Sequence, residues 1–182
     1  MKDLLLIFAF IAVAAAVVLN TSGSCAFAGT PSNAAAPAES GASTISMEQQ
    51  PNVPEGWVTD YQGALALAKE EGKAVLIDFT GSDWCGWCKK LDKEVFDQAA
   101  FEDYAEKNLV RLYLDFPNNK PQTEALSTQN EELSKKYGVR GFPTIIVLNS
   151  DGEMISQLGY QRGGAEKYVE TLEGVINSPE KS

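Results

Sequence analysis

The chain has 182 residues, a formal net charge of −10 and no histidine. Its length suits one domain of ordinary size with additional segments. The acidic balance argues against nucleic acid as a partner and against electrostatic binding to anionic lipid, because both require clustered lysine and arginine.

The first 28 residues have the pattern of a secretory signal peptide. A short charged start precedes the apolar run of residues 4–19, and a polar stretch then ends in Ala-Phe-Ala at residues 26–28. This pattern predicts cleavage after Ala28 and a periplasmic or secreted protein. Two alternatives stay open: the apolar run could remain as a membrane anchor, or Cys25 could be lipidated. All three place the rest of the chain outside the cytoplasm.

Residues 29–52 are small and polar and include prolines. They cannot bury enough apolar surface to offset the entropy of ordering, so they predict a flexible linker. The folded domain is expected over residues 53–177, and residues 178–182 are expected to form a disordered tail.

Within the domain, the apolar spacing alternates between helix and strand. Thr59 or Asp60 can cap a first helix, which Gly72 ends. Residues 73–79 form a nearly continuous apolar run, typical of a strand buried on both faces. A helix is expected to begin near Cys85.

The later elements complete an α/β pattern. They are predicted as a short helix capped by Asp97, strand 109–115, helix 123–137, strand 144–148, a turn at 149–152, strand 153–158 and helix 164–176. Strands joined by helices, followed by a hairpin and a final helix, predict a central mixed sheet flanked by helices.

If Cys25 leaves with the signal peptide, the mature chain holds only Cys85 and Cys88. A disulfide between them would close a very small loop and would stabilise the fold little. A structural zinc site needs four ligands, and the chain has neither a histidine nor a second cysteine pair. We therefore expect no metal and no cofactor in the site. Binding of copper(I) by the two thiolates stays open as an alternative.

A redox role fits the cysteine pair better. Two thiols separated by two residues at a helix start can form and break an internal disulfide with little backbone movement. Cys85 is expected where free backbone amides and the helix dipole favour a thiolate. Cys88 lies one turn further in. We therefore expect Cys85 to be the exposed nucleophile and Cys88 to resolve the mixed disulfide.

Two segments carry a family resemblance. Residues 75–90 read VLIDFTGSDWCGWCKK, and residues 137–153 read YGVRGFPTIIVLNSDGE. Together they resemble the thioredoxin-fold proteins over residues 57–176, and in particular a secreted bacterial subgroup akin to the C-terminal domain of the inner-membrane disulfide reductase. The resemblance implies a thioredoxin-like domain at residues 53–177. The chain departs from ordinary thioredoxin in having Trp87 between the cysteines instead of proline, and in a longer segment at residues 116–130.

The resemblance also implies roles for single residues. Pro143 matches the cis-proline beside the active site, where the backbone of Phe142 can pair with a substrate strand. Trp84 and Trp87 are expected to contact substrate, although a core position for Trp84 stays open. Asp78 matches the buried acid that takes the proton of Cys88, the alternative being a strand-end acid that reaches solvent.

Two basic residues near the motif are also open to two interpretations. Arg111 lies where thioredoxins often carry a lysine near the buried acid, so it is either a salt-bridge partner of Asp78 or a surface arginine. Lys89 could support the Cys85 thiolate, or it could be solvated on the helix surface.

The direction of electron flow follows from Trp87. Related oxidants and isomerases usually carry a histidine between the cysteines, whose charge supports the thiolate, and Trp87 is neutral. We therefore expect a monomeric thiol–disulfide oxidoreductase that reduces disulfides of other proteins and receives electrons from a membrane or periplasmic thiol donor. It would touch a membrane only if the signal were retained or Cys25 lipidated. The alternatives are an oxidant or isomerase, and a non-catalytic protein that binds copper(I) or substrate.

Overall fold

The computed structural model describes residues 53–178. The predicted signal peptide with Cys25 and its cleavage site after Ala28, the predicted linker at 29–52, and all but the first residue of the predicted tail at 178–182 lie outside the described residues.

The described residues form five strands and five α-helices. The strands are β1 (Trp57–Val58), β2 (Ala74–Thr80), β3 (Leu109–Asp115), β4 (Thr144–Leu148) and β5 (Met154–Leu158). The helices are α1 (Tyr61–Glu71), α2 (Gly86–Leu91), α3 (Ala99–Asn108), α4 (Glu124–Lys136) and α5 (Gly164–Ile176). A π-helical turn, Asp92–Phe96, continues α2.

The strands form one mixed sheet in the order β1-β3-β2-β4-β5. Strands β1, β3 and β2 are parallel, whereas β4 is antiparallel to β2 and β5 is antiparallel to β4. Every residue of β2 is buried, as the apolar run predicts, because this strand lies in the middle of the sheet.

Helices cover both faces of the sheet, and the side chains of β2 alternate between two apolar cores. Leu76 belongs to the core that contains Leu91 of α2 and Tyr168 of α5. Ile77 belongs to the opposite core, which contains residues of α1 and Leu133 of α4. The predicted mixed sheet flanked by helices is therefore confirmed.

The predicted helix ends are correct for α1. Asp60 accepts hydrogen bonds from the amides of Gln62 and Gly63, and Gly72 ends the helix in the left-handed conformation with φ 66°. The prediction that Asp97 caps α3 is wrong. The N-cap is Gln98, because the π-helical turn keeps Asp97 in the preceding segment, where its amide bonds the carbonyl of Asp92.

Hydropathy gives no membrane-spanning element in this part of the chain. None of the helices between residues 53 and 178 is both long and apolar enough to cross a bilayer.

Candidate active site

The cysteine motif follows the buried strand β2 through a short loop. Within this loop the indole of Trp84 lies against the backbone of Gly81, and a Cβ atom at Gly81 would lie 2.5 Å from the indole Cε2. Only glycine therefore allows Trp84 this position. Cys85 then caps the N-terminus of α2.

Cys85 and Cys88 form a disulfide, with an S–S distance of 2.06 Å and 5.3 Å between the Cα atoms. The backbone amide of Cys88 donates to Sγ of Cys85 at 3.1 Å. A donor in this position favours negative charge on that sulfur when the pair is reduced, because it hydrogen-bonds the thiolate.

Cys85 is less exposed than expected. In the disulfide-bonded form it is only 5% exposed, against 1% for Cys88. The order is as predicted, but an exposed Cys85 is wrong for this state, because its sulfur is bonded to Cys88 inside the first helical turn. The nucleophilic and resolving roles remain predictions.

Trp84 is 45% exposed, so the alternative that it is a core residue is wrong. Its Nε1 donates to the carbonyl of Phe116 at 2.8 Å. Its ring packs edge-on against Phe142, with 5.6 Å between ring centroids. Phe142 precedes Pro143, and the peptide bond between them is cis, as the resemblance implied. The structure thus brings three predicted site residues together: Trp84, Phe142 and Pro143.

Trp87 is 56% exposed and belongs to a second aromatic group. Its ring centroid lies 5.2 Å from that of Tyr160. The ammonium of Lys90 lies 5.3 Å from the Trp87 centroid and 5.1 Å from the Tyr160 centroid. Tyr160 in turn donates from its hydroxyl to Glu94 at 2.6 Å. Trp87 is therefore held in place from the loop after β5 while its ring stays accessible.

Asp78 lies in the middle of β2 and is 1% exposed, so the alternative of a strand-end acid that reaches solvent is wrong. Its side chain lies on the same face of the sheet as Leu76, towards α2 and α5. No hydrogen-bond partner among the described residues reaches its Oδ1. Burial, and then the charges of Asp92 and Asp115, raise the pKa of Asp78 well above its ordinary value.

Asp92 is a second carboxyl group in this region. It lies one helical turn after Cys88, and its amide donates to the carbonyl of Cys88. Asp78 and Asp92 line the same cavity of about 340 Å³, together with Trp57 and Tyr113. Burial, followed by the nearby acids, raises the pKa of Asp92 to about 6. The two acids can therefore hold protons at a pH where exposed carboxyl groups have lost theirs.

Arg111 does not pair with Asp78, so the salt-bridge interpretation is wrong. Its Nη1 lies 2.5 Å from Oε2 of Glu102, and its guanidinium lies 5.8 Å from the Trp57 ring centroid. The strand register explains this, because Asp78 is opposite Tyr113 on β3, two residues beyond Arg111.

The ammonium of Lys89 donates to the carbonyl of Asp83 at 2.9 Å. Lys89 is exposed on the helix surface and binds the loop before the cysteines. This contact fits the surface interpretation of Lys89, since its partner is a backbone carbonyl.

Between residues 53 and 178, no group of three or more Cys, Asp or Glu side chains is arranged to hold a metal ion.

The profile of the thioredoxin-like domain family matches residues 61–175. The chain belongs to this family. Within it, the chain is similar to the disulfide bond reductase DsbH of Chlamydia pneumoniae, with 32% identity over 116 residues that cover 64% of this chain and 70% of that one. A solved structure of a DsbH oxidoreductase superposes with a TM-score of 0.63 at 29% identity, covering 72% of this chain and 94% of the other.

This thioredoxin-like domain is also similar to part of a larger protein. The thiol:disulfide interchange protein DsbD of Actinobacillus pleuropneumoniae is 38% identical over 92 residues. That match covers 50% of this chain but only 14% of DsbD.

Sequence reasoning missed two residues of this thioredoxin-like site. Asp92 had a signal, since its spacing from Cys88 places both on one helix face. Tyr160 had none, because only tertiary folding brings the loop after β5 to Trp87.

Proposed function

We propose that this protein reduces disulfide bonds of other proteins outside the cytoplasm through Cys85 and Cys88. It is a thiol:disulfide oxidoreductase of the Dsb type, in the family to which the DsbH and DsbD relatives point. The observation that carries the proposal is the Cys85–Cys88 disulfide at the start of α2, with the Cys88 amide 3.1 Å from Sγ of Cys85.

The reaction transfers two electrons from the reduced cysteine pair to the substrate. The Cys85 thiolate attacks one sulfur of the substrate disulfide, and the other sulfur leaves as a thiolate. Cys88 then loses its proton and attacks Sγ of Cys85. This step releases the second substrate thiolate and leaves the Cys85–Cys88 disulfide.

Asp78 takes the proton of Cys88 in this scheme. Burial raises the pKa of the Asp78 carboxyl well above its ordinary value, so this carboxylate is a stronger base than an exposed one and is better suited to accept the proton of a thiol. Asp92 lines the same cavity as Asp78 and offers a second proton-holding group beside it. We assign Asp78 as the base and Asp92 as a residue that tunes its pKa.

The substrate lies across the exposed aromatic side chains next to the disulfide. Trp84 and Trp87 keep about half of their surface accessible. The Phe142 backbone, next to Pro143, offers hydrogen-bonding groups to an extended substrate strand. Apolar contact at these residues favours a protein substrate over a small disulfide.

The direction of electron flow is reduction. Trp87 is neutral, so it gives the Cys85 thiolate no charge stabilisation of the kind that makes a strong oxidant. The name of the Chlamydia pneumoniae relative, disulfide bond reductase, agrees with this direction. The electrons then come from a membrane or periplasmic thiol donor, because each turnover leaves the Cys85–Cys88 disulfide, which must be reduced again.

The site of action is the periplasm or the outside of the cell. The signal-peptide pattern of residues 1–28 supports this location.

Reduction of insulin by dithiothreitol, catalysed by residues 29–182, tests the proposal. Wild type is expected to accelerate the reaction, and Cys85→Ser is expected to abolish it. Cys88→Ser is expected to accumulate a mixed disulfide, because the resolving thiol is missing. Full activity of Cys85→Ser would contradict the mechanism.

Refolding of scrambled disulfides, with a reduction potential above that of glutathione, would instead identify an oxidant or isomerase. Copper(I) binding without reductase activity would identify a carrier.

A further inference from the structure

The loop before the cysteines is tied to the segment that follows β3. The carboxylate of Asp83 accepts two backbone hydrogen bonds. The amide of Asn118 lies 3.1 Å from both carboxylate oxygens, and the amide of Asn119 lies 2.6 Å from Oδ2. These hydrogen bonds hold the pKa of Asp83 below its usual value, and the one from the amide of Asn118 has the largest effect. Asp83 is therefore ionised at neutral pH and bound to two consecutive amides.

Neighbouring residues strengthen the same connection. Ser82 donates from its amide and its hydroxyl to the Asp115 carboxylate, at 2.8 and 2.6 Å. Lys120 donates to the Ser82 hydroxyl at 2.9 Å. The indole of Trp84 donates to the carbonyl of Phe116, as described above. Three consecutive loop residues thus bind the stretch between residues 115 and 120.

This stretch also supports the residue before the cis peptide bond. The ring centroid of Phe116 lies 5.1 Å from that of Phe142, and the Phe142 ring also packs against Trp84. Phe116 lies two residues before Asn118. The amides bound by Asp83 therefore fix a short segment whose aromatic ring contacts Phe142 and whose carbonyl holds Trp84.

We propose that Asp83 is a positioning residue that makes this reductase selective for protein disulfides over small disulfides. The inference rests on the proposed reductase function. Asp83 holds the segment 116–119 in the place where Phe116, Phe142 and Trp84 form one wall of the substrate site. A protein substrate must lie against this wall, whereas a small disulfide has only to reach Sγ of Cys85. Loss of the carboxylate therefore weakens reaction with proteins and leaves the thiol chemistry unchanged.

Single-turnover kinetics of the pre-reduced protein tests this inference. Residues 29–182 are reduced, freed of reductant and mixed with either insulin or oxidised glutathione, and the loss of protein thiols is followed. Asp83→Ala is expected to lower the second-order rate constant for insulin about tenfold, which corresponds to a rise of about 1.4 kcal/mol in the activation free energy. The rate constant for glutathione is expected to stay within about twofold of wild type. Asp83→Asn keeps one acceptor oxygen and is expected to restore part of the insulin rate.

Two variants serve as controls. Asp103→Ala removes the same charge from an exposed position on α3 and is expected to leave both rate constants unchanged. Asn119→Pro removes the backbone N–H that donates the 2.6 Å hydrogen bond, and it leaves the Asp83 side chain in place. If Asp83 acts through its hydrogen bond to Asn119, adding Asn119→Pro to Asp83→Ala does not slow insulin reduction further.

The outcomes separate the inference from the proposed function. Equal losses with insulin and glutathione in Asp83→Ala would show that Asp83 acts on Cys85 reactivity or on the fold, and would overturn the positioning role. Unchanged insulin reduction would overturn it as well. A wild-type protein that reduces neither substrate would instead refute the reductase function. If Asp83→Ala does not fold by circular dichroism, the same comparison is made with Asp83→Asn.

Discussion

Asp78 and Asp92 line one cavity, and the charge of Asp92 raises the pKa of Asp78 beyond the effect of burial. The two acids come from different elements, a central strand and the turn that continues the cysteine helix. Cys88 lies one helical turn before Asp92. Two carboxyl groups with raised pKa values therefore lie on one cavity, and one of them follows Cys88 by a single helical turn.

Asp78→Asn is expected to slow the step in which Cys88 releases the substrate. The amide has nearly the same shape but cannot accept the Cys88 proton, and loss of a positioned base costs about 100-fold or more. The mixed disulfide with insulin should accumulate and be visible on non-reducing gels. The first attack by Cys85 should keep its rate, so an equally slowed first step would contradict the role of Asp78 as base.

Asp92→Asn is expected to alter the pH dependence of stability. The pKa of Asp92 is about 6 in the folded chain, above its ordinary value of 3.8, so the folded protein binds the proton more tightly than the unfolded one. The free energy of unfolding that Asp92 contributes is therefore highest below about pH 4 and falls as the pH rises towards 6.

Guanidinium denaturation of the oxidised protein at several pH values between 4 and 7 measures this effect. Wild type should lose more stability over the interval than Asp92→Asn, while Asp103→Asn, an exposed acid on α3, should behave as wild type. Identical slopes for wild type and Asp92→Asn would contradict the raised pKa.

Trp87→His is expected to make the protein more oxidising. A protonated imidazole between the two cysteines would stabilise the Cys85 thiolate and hence the reduced form, which raises the reduction potential. Trp87→Phe keeps a neutral ring and provides the matched control for loss of the indole. Equilibration of each variant with glutathione buffers, quantified by thiol alkylation, gives the potentials. A rise in Trp87→Phe equal to that in Trp87→His would assign the effect to packing with Tyr160.

Arg111→Met is expected to lower stability without changing the redox chemistry. Arg111 binds Glu102 and lies over Trp57, so its loss removes a charged hydrogen bond and a cation–π contact, together about 2 kcal/mol. The reduction potential should stay the same, because Asp78 has no pairing with Arg111. Urea denaturation and glutathione equilibration measure the two quantities, and Glu102→Gln is the matched variant. A shifted potential in Arg111→Met alone would link Arg111 to the redox site.

Features set by near neighbours in the chain were predictable from the sequence. Asp60 and Gly72 end α1 as predicted, since a cap depends on residues within one turn. The buried run of β2 was also predicted, because a strand covered on both faces needs apolar side chains throughout. β1 was missed, as two residues carry no periodicity. The π-helical turn was missed because its apolar spacing differs little from that of an α-helix.

The sequence by itself determined the cysteine pair, the acid in β2, the tryptophans and the order of the strands β2 to β5 and of the five α-helices, because each depends on local pattern or residue chemistry. Tertiary structure alone decided which side chains meet. Strand register directs Arg111 to Glu102 instead of Asp78. Loop packing joins Ser82 to Asp115 and Glu94 to Tyr160, which are 33 and 66 residues apart. Such contacts arise from the closure of the whole sheet and its helices, and no neighbouring residue in the chain specifies them.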